Sequence, residues 1–188
     1  MRRQEEEQER SVREGFLSDC CENNLAAVAR LLEEGADVNW RDEDGMSGLH
    51  WAAVNNYGAL LARLLTEPTV SVNITNTQGE TPLMMASFAG RDGLVSRLCG
   101  SEGIELNCRD VNGWTALHWA VDQSRTGCVQ ILSDSRADCN VLNSDWEAPV
   151  MLSLKQHKSQ LAVILLNNPS LDLDTVDGDG RHLEDIAW

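Results

Sequence analysis

The residues with chemical potential in this chain are few, and their spacing does not bring them together. His50 and His118 are the obvious candidates for a base or a metal ligand, yet they stand 68 positions apart at equivalent points of a regular spacing, so they do not converge on one site. The six cysteines (Cys20, Cys21, Cys99, Cys108, Cys128 and Cys139) form no Cys-x-x-Cys pair. None of the four histidines stands at a zinc-finger distance either, so no metal site is expected. The acid-rich stretch Asp172-Leu-Asp-Thr-Val-Asp-Gly-Asp-Gly180 invites a calcium loop but fails on spacing. With Asp172 and Asp174 as the first ligands, Val176 takes the third ligand position and Asp177 the place that needs glycine. The chain carries no phosphate loop, no Gly-x-Ser-x-Gly elbow and no His-Glu-x-x-His pair. No catalytic residue, cofactor or enzyme activity is expected.

Charge narrows the remaining classes. Lys plus Arg number 15 against 30 for Asp plus Glu, a net charge of −15 over 188 residues. A nucleic-acid binder needs a cationic surface to displace counterions from phosphate, so that class is excluded. The same field repels anionic headgroups and attracts basic partners. No apolar run approaches the roughly 18 residues of a membrane span, and the first ten residues, MRRQEEEQER, lack the apolar core of a signal peptide. Reduced thiols in the cytosol or nucleus are therefore expected, and the Asn73-Ile-Thr75 sequon would stay unused.

The chemistry that exists must be positioned by repetition. A turn of the form Asp/Asn-x-x-Gly occurs at Asp42-Glu-Asp-Gly45, Asn76-Thr-Gln-Gly79, Asp110-Val-Asn-Gly113 and Asp177-Gly-Asp-Gly180, with an altered copy at Asn143-Ser-Asp-Trp146. Asp or Asn bonds its own backbone to open such a turn, and Gly supplies the positive φ. An apolar helix follows each of the first copies: Ser47-Gly-Leu-His-Trp-Ala52, Thr81-Pro-Leu-Met-Met-Ala86, Thr115-Ala-Leu-His-Trp-Ala120 and Ala148-Pro-Val-Met-Leu-Ser153. Thr81 and Thr115 can cap free N–H groups, and Pro82 and Pro149 sit where a missing N–H costs nothing. A second helix closes each unit at Leu25–Leu32, Leu60–Leu65, Leu94–Cys99, Cys128–Leu132 and Leu161–Leu166. One helix pair of this length cannot bury enough surface alone, so stacked neighbours must share a core.

The 33-to-34-residue period, the Thr-Pro-Leu-His-like helix start and Gly35-Ala-Asp-Val-Asn39 resemble the ankyrin repeat. The resemblance implies an all-α solenoid of stacked helix-turn-helix units with β-turn fingers. Units are expected at about 15–41, 42–75, 76–109, 110–142 and 143–176, with a partial unit at 177–188. Residues 1–14 form a charged extension, either frayed helix or disorder. The last unit begins like a repeat and stops within its first helix, as in a fragment of a longer protein or an end whose last turn frays. Trp146 replaces a turn glycine, so that turn is expected to be distorted. By the resemblance, His50 and His118 hydrogen-bond within and between neighbouring turns.

A family of this kind grips partners with its turn tips and first helices. That implies a partner-binding face containing Glu43, Asp44 and Met46 from one unit and Glu80 and Phe88 from the next. Trp114, Asp122, Asp145 and Glu147 continue it. Met46, Phe88 and Trp114 are the apolar anchors, whereas Trp51 and Trp119 are assigned to the core. The acidic fringe either keeps the solenoid soluble or steers a basic segment into the groove. Asn39, preceded by Leu31, Asp37 and Val38, and Asn140, preceded by Leu132, Asp138 and Cys139, have the setting in which ankyrin asparagines are hydroxylated. Simple capping of the return turn is the favoured alternative for both. The expectation is a monomeric, non-enzymatic scaffold or adaptor that binds a protein partner. Its rivals are a regulatory or targeting module of a larger enzyme, ubiquitin-ligase adaptor or channel, and an inhibitor-like regulator of a transcription factor.

Overall fold

The computed structural model describes the backbone of residues 2–186 and the side chains of residues 6–186, so Met1 of the extension and Ala187–Trp188 of the partial unit lie outside the described residues. Within them the chain is helical throughout, with eleven helices, no strand and isolated bridges only at Arg41–Ser47 and Val176–His182. Helix α1 (Arg2–Cys21) is long and α2 (Leu25–Glu33) short. The helices then alternate as α3 (Gly48–Asn55), α4 (Gly58–Leu64), α5 (Pro82–Ala89), α6 (Asp92–Cys99), α7 (Ala116–Asp122), α8 (Thr126–Asp134), α9 (Pro149–Lys155) and α10 (Ser159–Leu166), ending in α11 (Leu183–Ile186). None of them is long and apolar enough to cross a membrane. Helix α1 runs without a break from the charged extension into the first pair.

Helices α2, α5 and α7 start where a side chain caps a first-turn N–H group. Thr81 Oγ1 accepts from Met84 N at 3.3 Å, and Thr115 Oγ1 from His118 N at 3.4 Å. Pro82 and Pro149 open α5 and α9. The inner helices α3, α5, α7 and α9 pack successively on one another, as do α6, α8 and α10 outside them. Leu49, Leu83, Leu117 and Val150 form the buried inner row, and Leu64, Leu98, Leu132 and Leu165 the outer one. Ala52, Ala86, Ala120 and Ser153 are fully buried beside them, small enough for neighbouring helices to approach. One continuous core therefore runs along the stack instead of a separate core per unit.

The turns are stacked by backbone hydrogen bonds from each unit to the next. Thr77 N donates to Asp44 O at 2.9 Å, Val111 N to Gln78 O at 3.0 Å and Ser144 N to Asn112 O at 3.0 Å. This closeness dictates glycine at the turn. Gly79 has φ +76°, and a Cβ there would lie 3.2 Å from the Asp110 Cα. On the opposite edge, asparagines clamp the return segments. Asn39 Nδ2 donates to Thr69 O at 2.8 Å while its Oδ1 accepts from Ser71 N at 2.7 Å. Asn73 does the same with Gly103 O and Glu105 N, and Asn140 with Ser170 O and Asp172 N.

The turn at Trp146 is not distorted in itself, contrary to expectation. Asn143 Oδ1 accepts from Asp145 N and Glu147 N, both at 2.9 Å, as in the sister turns. Trp146 achieves this by adopting φ +59°, a left-handed conformation that is costly for a bulky residue. The change appears one step further on. With a side chain in place of glycine, the turn of Asp177–Gly180 sits against the Trp146 Cβ, and among the described residues no backbone bond joins these two turns.

Candidate functional site

Two kinds of unit alternate along the stack, and the difference builds the surface. In the units opening with Asp42 and Asp110, one carboxylate oxygen ties the turn: Asp42 Oδ1 accepts from Asp44 N and Met46 N, and Asp110 Oδ1 from Asn112 N and Trp114 N. The other oxygen accepts an indole N–H from nine residues on, Trp51 Nε1 at 3.2 Å and Trp119 Nε1 at 3.1 Å. Trp51 and Trp119, expected in the core, are half-buried with their indole N–H groups on the turn carboxylates, and Trp119 packs against the core from its edge. An indole N–H needs an acceptor, and the apolar core has none to offer. Asn76 and Asn143 open the alternate units, where the register of the two tryptophans holds Met85 and Leu152. With Oδ1 tied to the turn, each asparagine presents Nδ2 where aspartate has its second oxygen, a donor that cannot accept an indole N–H. Asn76 Nδ2 instead donates to Glu80 Oε2 at 2.6 Å. Asn143 Nδ2 is buried without a partner, because Glu147 is drawn to Lys155 at 3.0 Å.

The histidines follow the same alternation. His50 Nδ1 accepts from Ser47 N at 3.0 Å and its Nε2 donates across to Glu80 O of the next unit at 2.9 Å. His118 repeats this with Thr115 N at 3.2 Å and Glu147 O at 2.9 Å. A backbone N–H can only donate, so both imidazoles are neutral with the proton on Nε2. Burial, opposed only partly by these carbonyls and the nearby turn carboxylates, holds both pKa values down to about 4. Met84 and Met151 take the equivalent positions, their sulfurs 3.4 and 3.5 Å from the N–H groups of Thr81 and Ala148. Such histidines serve structure. No cluster of three or more metal-ligating side chains exists among the described residues.

The nine residues expected on the binding face have different surroundings. Met46 is 8% exposed, with the Asn76 amide 3.7 Å from its sulfur, so it is no surface anchor. Met46 is covered by the next unit's turn, a burial that no pattern within one unit reveals. Glu43 and Asp44 are exposed, but Glu43 lines a cleft with Arg10 and Arg13 of α1. Asp122 is half-buried and accepts from Gln156 Nε2 and Gln123 Nε2. Asp145 is exposed, whereas Glu147 pairs with Lys155, which also reaches Asp177 at 3.2 Å. Arg181 beside Asp177 holds that carboxyl well below the usual carboxylate range.

Glu80, Phe88 and Trp114 are the three brought together, and Trp119 is what joins them. The Trp114 ring packs on Trp119 at 4.7 Å between centroids, and Phe88 meets the same indole edge-on at 5.6 Å. Phe88 is 43% exposed and Trp114 half-buried. Between α3, α5 and α7 lies a cavity of about 140 Å³ lined by Val54, Glu80, Met84, Met85, Phe88 and Trp119. Trp119 and Met85 pack against the core and also line the cavity, a second contact that a helical apolar pattern does not reveal. The signal that could have found Trp119 is the pairing of an Asp-opened turn with a tryptophan nine residues later; Met85, in an Asn-opened unit, has no such signal. Trp146, 62% exposed at a finger tip, is a second aromatic that the turn pattern alone does not place on the surface.

The family model described as Ankyrin repeats (3 copies) matches residues 17–110, 57–143 and 89–179. No curated protein matches the chain.

Proposed function

The chain belongs to the ankyrin-repeat family, whose repeats are generally protein–protein interaction modules, and on that premise we propose that it is a non-enzymatic scaffold or adaptor that binds a protein partner on its finger and inner-helix face. The observation that carries the reading is the Phe88–Trp119–Trp114 cluster, an aromatic patch with an open cavity beside it on a face that also carries acidic groups. Glu80, Asp122, Asp145 and the exposed Glu43 and Asp44 give that face a field suited to a basic segment of the partner. Cytosol or nucleus is the setting we assign, on the strength of six cysteines of which none is paired in a disulfide.

The test is affinity capture from cell extract with the parent chain beside a Phe88→Ala, Trp114→Ala double variant, circular dichroism confirming that both fold alike. A protein held by the parent and lost by the variant supports the reading. Equal capture moves the binding face elsewhere on the stack. For a captured partner, an association rate unchanged between low and physiological salt removes the electrostatic steering.

A further inference from the structure

We propose that the cavity between α5 and α7 is a subsite for one arginine side chain presented by an extended segment of the partner. The inference rests on the reading of this face as the binding surface and gives it a specific chemistry. The volume, about 140 Å³, suits one amino-acid side chain and is well below that of the usual small-molecule site. Its walls are preset. Trp119 is pinned by Asp110 at its indole N–H and packed by Trp114, so the occupant need not order the ring.

The lining is apolar apart from a single charged group, Glu80. One of its oxygens accepts from Asn76 Nδ2, and the other makes no hydrogen bond among the described residues. No lysine or arginine lines the cavity. The nearest cations by register, Arg91 and Arg125, are committed to helix C-terminal carbonyls, Arg91 Nε donating to Val54 O and Arg125 Nε to Phe88 O. A purely apolar occupant would bury the Glu80 carboxylate without a new partner, and an acidic one would be repelled. An arginine satisfies both halves of the site. Its methylene stem covers Val54 and Phe88 while its planar guanidinium lies against Trp119 and donates to Glu80. Aromatic face and carboxylate both favour the cation.

The probe is a random peptide library on phage, panned against the intact chain, followed by synthetic peptides of the recovered sequence. The expected result is a fixed arginine in the consensus, affinity lowered about tenfold by Glu80→Gln and at least as much by Phe88→Ala, and loss of binding when the arginine is replaced by norleucine. Glu80→Gln keeps shape and the Asn76 contact, and Phe88 is half-exposed, so neither variant threatens the fold; circular dichroism verifies this. Recovered peptides without a fixed arginine, an affinity indifferent to Glu80→Gln, or no enrichment at all overturns the arginine subsite. If Phe88→Ala still abolishes binding in such a case, the face is right and only its chemistry wrong. If Phe88→Ala also changes nothing, the binding face itself is wrong.

Discussion

Acidification should destabilise this stack through two residues that no partner touches. His50 and His118 are held at about 4 against an ordinary 6.5, so as pH falls the unfolded chain takes up each proton well before the folded one does. Their contribution is therefore complete above about 6.5, falls as pH drops below that value, and is fully lost below about 4. Going from about pH 7 to about pH 5, each histidine withdraws about 2 kcal/mol, and the pair about 4 kcal/mol. The structural cost of protonation is specific. A proton on Nδ1 would face the N–H of Ser47 or Thr115 and take from it the ring nitrogen it donates to. The hydroxyl of the same residue, 2.9 Å away, is left as the one acceptor for the new proton.

The chain supplies its own control, since methionine fills the same register at Met84 and Met151. A His50→Met, His118→Met variant should fold, lose about 1 kcal/mol per missing cross-unit bond near neutrality, and show little of the decline at about pH 5. Urea unfolding followed by circular dichroism at both pH values, parent beside variant, measures the difference. Carboxylate effects, including relief of the −15 net charge, are common to both chains and cancel. An equal drop in stability for the two chains would refute the assignment of this pH dependence to the histidines.

Trp146→Gly relieves a bulky residue at φ +59° and should raise stability by about 1 kcal/mol, seen as a higher thermal midpoint; a lower one contradicts the strain argument. Gly79→Ala and Gly180→Ala both place a Cβ at positive φ, but only Gly79 has backbone within reach, so it should cost clearly more than the roughly 1 kcal/mol of the φ penalty alone. Equal losses in denaturant would mean that the turns can part freely. Asn39→Ala removes both clamp bonds to the next unit and should cost about 1–2 kcal/mol in urea unfolding. Treatment with an asparaginyl hydroxylase decides the modification proposed for Asn39 and Asn140: one added oxygen per site in the intact mass carries it, and an unchanged mass ends it.

The repeat, its helix pairs and its caps are legible in the sequence because each is local. Asp or Asn at a turn, glycine three residues later and threonine before a helix act within one unit. What could not be read depends on neighbours. Met46 disappears under the turn opened by Asn76, a residue 30 positions away, while Trp119 sits at the edge of the core with a turn carboxylate accepting its indole. The cavity is less legible still, since its walls come from three helices of three units. Phe88 and Glu80 could be named from register, but their meeting at Trp119 requires the stacking distance between units.

The loss of the last turn-to-turn backbone bond changes the nature of a joint. Upstream, the fingers from Asp42 to Ser144 are laced by neutral amide bonds, which dissolved ions hardly weaken. Beyond Trp146 the lacing passes to Lys155, which bridges Glu147 and Asp177 by charge. The stack is thus mechanically heterogeneous, its last described joint held by a partly buried charge bridge where the others hold by backbone amide bonds. A pull across this joint would be absorbed at the seam and leave the Phe88–Trp119 pocket undisturbed. The tip can peel while the grip holds.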